Sequence, residues 1–198
     1  MSATAKPNKL QTLPVGEVLR RCGFPPEIKA QVAGAGDAAQ LVEALTRAGL
    51  LVEASRALAH ALPKREAVWW ACMCAGSSTP PDIAEPDRQA REYAENWVRD
   101  KSDEARRAAM DAAKLAGFQS PEAWAGTAAF WSGDSITAPT APPVPPPPHL
   151  TGVAVAGAVV LASVRGQPGR QKQRLARFLQ SAHDIAAGGA GRMAPEAE

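Results

Sequence analysis

Hydrophobic residues recur at intervals of three and four through most of the chain, which is the period of an amphipathic α-helix. In one segment the apolar positions are Leu41, Val42, Leu45 and Ala48, and Gly49 follows them. Runs of alternating or β-branched residues, which are typical of strands, are nearly absent. The pattern therefore predicts an all-α protein, built as a compact array of eight to ten short helices.

Residues that start and stop helices divide this pattern into segments. Ser102 and Ser120 are typical N-caps, and Gly23 and Gly117 are typical of helix C-termini. The predicted helices are Val15–Gly23, Pro26–Ala33, Asp37–Gly49, Leu50–Leu62, Pro63–Ala75, Asp87–Asp100, Ser102–Gly117, Ser120–Trp131, Leu150–Val164 and Arg170–Ala187.

Two of these segments, Ala67–Ala75 and Leu150–Val164, are apolar on almost every side. Helices of this kind are buried in a core or in a bilayer. The most apolar stretch, 152–164, is too short to span a bilayer, which needs about 20 residues. We therefore expect both helices to be buried core helices and expect no association with a membrane.

The composition changes this picture in one respect. Alanine accounts for 42 of the 198 residues, whereas only ten residues are aromatic and five of those are tryptophan. Alanine has the highest helix propensity and a small side chain. We therefore expect closely approaching helices, with a few tryptophan side chains filling the larger gaps.

The length predicts one domain, over residues 14–188, with disordered tails at 1–13 and 189–198. Seven prolines fall within residues 138–148, so this segment is predicted to be extended. It is either a mobile linker or a strap that crosses the folded domain. We favour the strap, because the apolar helix that follows it needs partners to cover it.

Charge and cysteine content narrow the function classes. The formal net charge is only +2, which argues against a nucleic-acid binder. The polar N-terminus has no apolar signal core, and three cysteines cannot all pair, so we expect a reducing, cytoplasmic setting.

A metal site would have four candidate ligands, namely Cys22, Cys72, Cys74 and His60. However, the thiols of Cys72 and Cys74, two residues apart on a helix, point away from each other. We expect buried cysteines, no metal and no cofactor.

Gly133-Asp134-Ser135 resembles the Gly-Asp-Ser motif of a hydrolase family, with His183 or His149 as the base. That motif normally follows a strand near the start of a chain, and here it follows a helix. We expect a turn at this position and a protein without enzymatic activity.

Tryptophan residues offer candidate binding positions. Trp69 and Trp70 are adjacent on an apolar helix and are preceded by Lys64 and Arg65, whose cations can lie over an aromatic ring. Adjacent tryptophans more often divide their roles, one in the core and the other sealing a helix interface. We favour this packing interpretation over a ligand platform.

Three motifs resemble a proteobacterial family of unknown function. They are Leu62–Ala71 (LPKREAVWWA), Phe130–Ser135 (FWSGDS, where the family has FWSGGS) and the prolines before Leu150. The family has no established enzymatic activity to carry over, and the resemblance implies an association with type VI secretion. It makes a set of residues candidates for a shared core or a partner surface: Lys64, Arg65, Glu66, Trp69, Trp70, Trp131 and Ser132.

From these observations we expect a non-enzymatic protein-interaction module, an adaptor or chaperone of a type VI-like secretion system. Its partner-binding residues are predicted to be Lys64, Arg65, Trp69, Trp70, Trp131 and Ser132. The alternatives are a small-molecule-binding helical domain with a pocket lined by tryptophan and, less favoured, a hydrolase that uses Ser135.

Overall fold

The computed structural model describes residues 8–12 and 14–196. This part of the chain forms ten α-helices and two short 3-10 turns and contains no strand, which confirms the predicted all-α array. The helices are α1 (Val15–Cys22), α2 (Pro26–Gln31), α3 (Ala38–Arg47), α4 (Leu51–Ala61), α5 (Lys64–Ser77), α6 (Glu85–Asp100), α7 (Asp103–Leu115), α8 (Pro121–Trp131), α9 (Leu150–Val164) and α10 (Gln171–Ala186).

The observed ends follow the local capping signals. Ser102 and Ser120 accept hydrogen bonds from backbone amides at the first turns of α7 and α8, as expected of N-caps. The predicted loop at 76–86 is shorter than expected, because α5 continues through Gly76 to Ser77. The Ser77 hydroxyl donates to the carbonyl of Cys74 at 3.0 Å, which satisfies one backbone group at the end of that helix.

Small residues bring the helices together as the alanine content predicts. Gly126 of α8 is buried between α6 and α7. A Cβ at this position would lie 2.7 Å from the carbonyl oxygen of Ala109 and 3.3 Å from that of Ala90. The backbone of α8 therefore lies directly against two neighbouring helices, a contact that only glycine permits.

The core is centred on α5, which packs against α6, α8, α9 and α10. Trp70 of α5 is fully buried, and its indole N–H donates to the carbonyl of Phe178 in α10 at 2.8 Å. One hydrophobic cluster contains side chains from Leu10 to Ala186. None of the described helices combines the length and the apolar character needed to cross a membrane.

A buried ion pair joins the ends of three helices. Glu122, at the start of α8, is fully buried and accepts a hydrogen bond from Arg165, just after α9, at 2.9 Å. The Thr79 hydroxyl, just after α5, donates to the same carboxylate at 3.0 Å. Arg165 also donates to the carbonyl of Ser78, so the carboxylate has both a counter-charge and hydrogen bonds.

The proline-rich segment 138–148 is exposed, except for the buried Pro146. Its first part closes on itself, because Ile136 donates to the Val144 carbonyl at 2.8 Å and Val144 donates to the Ser135 hydroxyl at 3.1 Å. The end of the segment contacts α1 through the Pro148 carbonyl.

Part of the expected C-terminal tail is held against the domain. Within residues 189–196, the amide of Gly191 donates to Asp184 of α10 at 2.7 Å. The carboxylate of Glu196 accepts a hydrogen bond from Arg174 at 2.9 Å. This segment differs from the expectation of a disordered tail because polar side chains of α10 bind its backbone. Of the tail expected at 1–13, residues 1–7 and 13 lie outside the described residues, as do residues 197–198 at the other end.

Candidate interaction groove

An apolar groove of about 280 Å3 lies beside Trp69, and we call it the Trp69 groove. It forms where α5, the end of α6 and the segment after α10 meet. Its lining residues are Lys9, Arg65, Glu66, Trp69, Val98, Arg99, Ile185, Gly189 and Ala190. Two of the six predicted partner-binding residues, Arg65 and Trp69, are therefore brought together at one surface.

The Trp69 side chain is held in place at its polar end. Its indole N–H donates to the carbonyl of Ala190 at 2.7 Å, while the ring packs partly against the hydrophobic cluster. A tryptophan held in this way has little rotational freedom to lose when a partner binds.

Charged side chains on the rim of the Trp69 groove are also fixed. Arg65 donates through Nε to the carbonyl of Val98 at 2.6 Å, which ties α5 to the end of α6. Lys9 forms an ion pair with Glu66 at 2.5 Å. The groove is thus an apolar surface with a preorganised polar rim, an arrangement that is common in protein interfaces.

Trp70 and Lys64 do not belong to this surface. Trp70 is a core residue, whereas Trp69 is only partly buried against the hydrophobic cluster. Lys64 lies exposed at the start of α5.

Trp131 and Ser132 lie elsewhere, at the junction of α8 and α9. The hydroxyl of Thr151 in α9 donates to the carbonyl of Trp131 at 3.1 Å, and the Ser132 hydroxyl donates to Ala128 at 2.7 Å. Trp131 is partly buried against the hydrophobic cluster. These contacts give both residues a packing role where α8 ends.

The glycine of the FWSGDS motif provides space for an arginine. A Cβ at Gly133 would overlap the buried side chain of Arg106, which lies 5.1 Å from the ring centre of Phe130. Arg106 also pairs with Asp103 at the start of α7. Among the described residues, positive φ occurs at two non-glycine positions, Lys101 and Phe118, so Asp134 needs no left-handed conformation.

Ser135 stabilises a loop. Its hydroxyl lies 2.8 Å from the Thr137 hydroxyl and accepts hydrogen bonds from the amides of Thr137 and Val144. Neither His149 nor His183 is a hydrogen-bond partner of this hydroxyl within residues 8–12 and 14–196. The expected turn is therefore present at the Gly-Asp-Ser motif.

The three cysteines are buried and unpaired. Burial raises the pKa of the Cys22 thiol to about 12, and it also raises the pKa values of Cys72 and Cys74. Across the described ranges, no group of three or more His, Cys, Asp or Glu side chains is arranged to hold a metal ion. The cysteines therefore act as small core residues.

Sequence reasoning did not find several residues that form the Trp69 groove. Val98, Ile185 and Ala190 come from three distant parts of the chain, and only folding brings them together. Arg65 and Trp69 were found because they belong to a recognisable motif, whereas short apolar residues at helix ends carry no comparable signal.

The fold and the groove define the class of this protein: an all-α protein with a preorganised apolar surface groove. A protein-family model described as a family of unknown function, DUF6931, matches residues 41–186. The match spans α3 to α10, so the chain belongs to this family. No curated protein and no solved structure shows significant similarity to the chain.

Proposed function

We propose that this protein is a non-enzymatic, cytoplasmic protein-interaction module of bacteria, an adaptor or chaperone of a type VI-like secretion system. A segment of the protein partner binds in the Trp69 groove. Neither nucleic acid nor a membrane surface is a partner in this proposal. The assignment to secretion rests on the resemblance of the three sequence motifs.

The observation that carries the proposal is the preorganised apolar surface around Trp69. Tryptophan and arginine are the residue types that most often dominate binding energy at protein interfaces. Here Trp69 and Arg65 lie on one groove, and each is held by a hydrogen bond to backbone from another part of the chain. A partner side chain can therefore be bound without reordering the groove.

The alternatives have weaker support. The Trp69 groove is open to solvent, whereas small-molecule sites are clefts or cavities that bury most of the ligand surface. A hydrolase needs a base within hydrogen-bond reach of the nucleophile, and the partners of Ser135 are Thr137 and Val144. The interaction module therefore remains our proposal.

The test is a quantitative affinity capture of the tagged full chain from its own host. We expect to capture one stoichiometric partner, a secretion component or effector. Trp69→Ala should lower the amount of captured partner at least about tenfold, as for an interface hot spot. Trp69→Phe keeps an aromatic ring but removes the N–H that binds Ala190, so it separates ring contact from this hydrogen bond.

Tyr93→Ala is the matched control, because Tyr93 is an aromatic residue of α6, 37% exposed and outside the Trp69 groove. It should leave capture unchanged. Equal capture by the wild-type chain and Trp69→Ala, with both folded by circular dichroism, would contradict the proposed use of this groove. Absence of any specific partner would contradict the proposed function itself.

A further inference from the structure

The outer face of α9 is an apolar stripe that the described elements cover only in part. Val153 is 40% exposed and Val164 is 38% exposed, and the partly buried Gly157 and Val160 lie between them. These positions are four, three and four residues apart, so they form one line along the helix. The solvent face of a helix in a monomeric protein is normally polar, so an all-apolar stripe indicates a surface that becomes covered.

Two helices, α4 and α8, contact α9 beside the stripe, and they present different side chains to it. Gly152 faces α4, because a Cβ there would overlap Nδ1 of His60. Gly157 faces α8, because a Cβ there would lie 3.2 Å from the indole ring of Trp124. Gly157 itself belongs to the stripe, so Trp124 packs against the stripe there, while His60 lies about 140° away around the helix on the α4 side.

The α4 side of the stripe is cationic. Arg21 of α1 and Arg56 of α4 line a depression of about 250 Å3 together with Val153 and Val160. His60 lines it too, but burial first, and then the nearby cations, lower its pKa to about 4. The positive charge at neutral pH therefore comes from the two arginines.

Both arginines are fixed in position. Arg56 donates to the carbonyl of Cys22 at 2.7 Å and lies 5.5 Å from the ring centre of Phe24. Arg21 pairs with Glu17 at 2.6 Å and donates to the Pro148 carbonyl. Each guanidinium has five N–H groups and can accept a further carboxylate partner in addition to these contacts.

We propose that the outer face of α9 binds an amphipathic helix of another protein, with acidic residues along the edge that faces Arg21 and Arg56. The apolar side of that helix covers Val153, Gly157 and Val160. At 15 residues, α9 is about 22 Å long, so it offers a contact of three to four helical turns.

Pairing between the α9 faces of two copies of this chain does not supply the required chemistry. The sequence of α9 contains no Asp or Glu, so pairing of two α9 faces brings no acidic edge to the arginines. Glu17, the acid at this edge, is already paired with Arg20 and Arg21. Charge complementarity therefore favours a different protein with an acidic helix. This surface is separate from the Trp69 groove, and its test is independent of the function proposed above.

The test is a displayed library of 18-residue helical peptides with a fixed apolar face and randomised edge positions, selected on the full wild-type chain. We expect the binders to carry Asp or Glu along one edge. Arg21→Glu should weaken these binders at least about tenfold, whereas peptides with lysine at the same edge should bind Arg21→Glu more tightly than the wild type. Hydrogen exchange should slow in residues 150–164 when a binder is added.

Two further variants keep this test specific. Val153→Asp changes an exposed residue of the stripe and should abolish binding while the chain stays folded in thermal unfolding. Arg47→Glu changes a cation of α3 whose side chain is 73% exposed, and it should leave binding unchanged. No binders, binders without a charge preference, or binders that still recognise Val153→Asp would overturn the proposal.

Two other occupants give different results. Dimerisation of the wild-type chain that Val153→Asp abolishes would assign the face to a second copy. Binding to phosphatidylcholine vesicles that depends on Val153 would assign it to a lipid surface. Either result would also overturn the proposal.

Discussion

His60 of α4 is buried against α9, with 7% of its surface exposed, and its Nδ1 has no hydrogen-bond partner among the described residues. Gly152 leaves the space that this ring occupies. An unpaired buried nitrogen costs free energy, and protonation of the ring would cost more, first because burial removes the charge from water and then because Arg21 and Arg56 are close. The position therefore requires a neutral imidazole.

This requirement predicts a pH dependence of stability. The pKa of His60 is about 4 in the folded protein, against an ordinary value of 6.5 when unfolded. The unfolded chain therefore takes up a proton as the pH falls from 6.5 towards 4, and the folded chain does not. The free energy of unfolding should decrease over this range by up to about 3 kcal/mol, and it should be fully retained above pH 6.5.

Urea unfolding between pH 4 and pH 7.5 measures this effect. His60→Asn removes this titrating group and should reduce the pH dependence over that range, leaving the part that comes from His183, whose pKa is also lowered by burial. The same slope in the wild type and in His60→Asn would show that His60 is not the group responsible.

At the scale of elements, the pair formed by Glu122 and Arg165 holds the ends of α5, α8 and α9 together. Breaking such a pair from one side leaves the other charge without its partner, at a cost of about 3–5 kcal/mol. We expect Glu122→Gln to lower the free energy of unfolding by about this amount. Chemical denaturation at constant pH measures the change.

The control for this prediction is Glu92→Gln. Glu92 pairs with Arg88 on the surface of α6, where both side chains are more than 40% exposed. Exposed pairs of this kind contribute about 0–1 kcal/mol. If Glu122→Gln and Glu92→Gln lowered the free energy of unfolding by similar amounts, the buried pair would contribute no more to stability than the exposed pair.

Prediction of the elements was accurate where the signals are local. The starts of α7 and α8 are marked by Ser102 and Ser120, whose hydroxyls accept hydrogen bonds from backbone N–H groups of the first turn. Pro121, at the first position of α8, has no N–H group that would need a partner. A few neighbouring residues therefore determine each boundary. The end of α5 was missed, because Gly76 is a common helix stop but here lies within a helix packed against Arg91 of α6. Contact with a distant helix overrode the local preference.

At the scale of the whole molecule, the buried thiols report on the integrity of the core. Cys22, Cys72 and Cys74 lie in one hydrophobic cluster, and burial raises the pKa of each. The reactive species is the thiolate, so both access and ionisation are suppressed. We expect the folded protein to react with a disulfide reagent at pH 8 at least about 100-fold more slowly than the urea-unfolded chain.

Thr140→Cys provides the matched comparison, because residue 140 is exposed in the proline-rich segment. Its thiol should react rapidly in the folded protein, while the three native thiols stay protected. Rapid modification of a native cysteine in the absence of denaturant would mean that the core around it opens readily.

The candidate site was only partly predictable. The LPKREAVWWA motif identified Arg65 and Trp69, but equally identified Lys64 and Trp70, which lie exposed and in the core, respectively. Adjacent residues on a helix point about 100° apart, and the sequence does not state which direction faces the interior. The position of α10 decides it, since Phe178 provides the acceptor for the Trp70 indole.

The sequence by itself determined the helical class, most helix boundaries and the close packing of alanine-rich surfaces, because these depend on residues within a turn or two of each other. Only the tertiary structure decided that Trp69 bonds to Ala190, 121 residues away, and that Glu122 pairs with Arg165, 43 residues away. It also left the outer stripe of α9 partly exposed, although the sequence predicts burial on all sides. Such outcomes depend on which helices become neighbours, and local propensities carry no information about that choice.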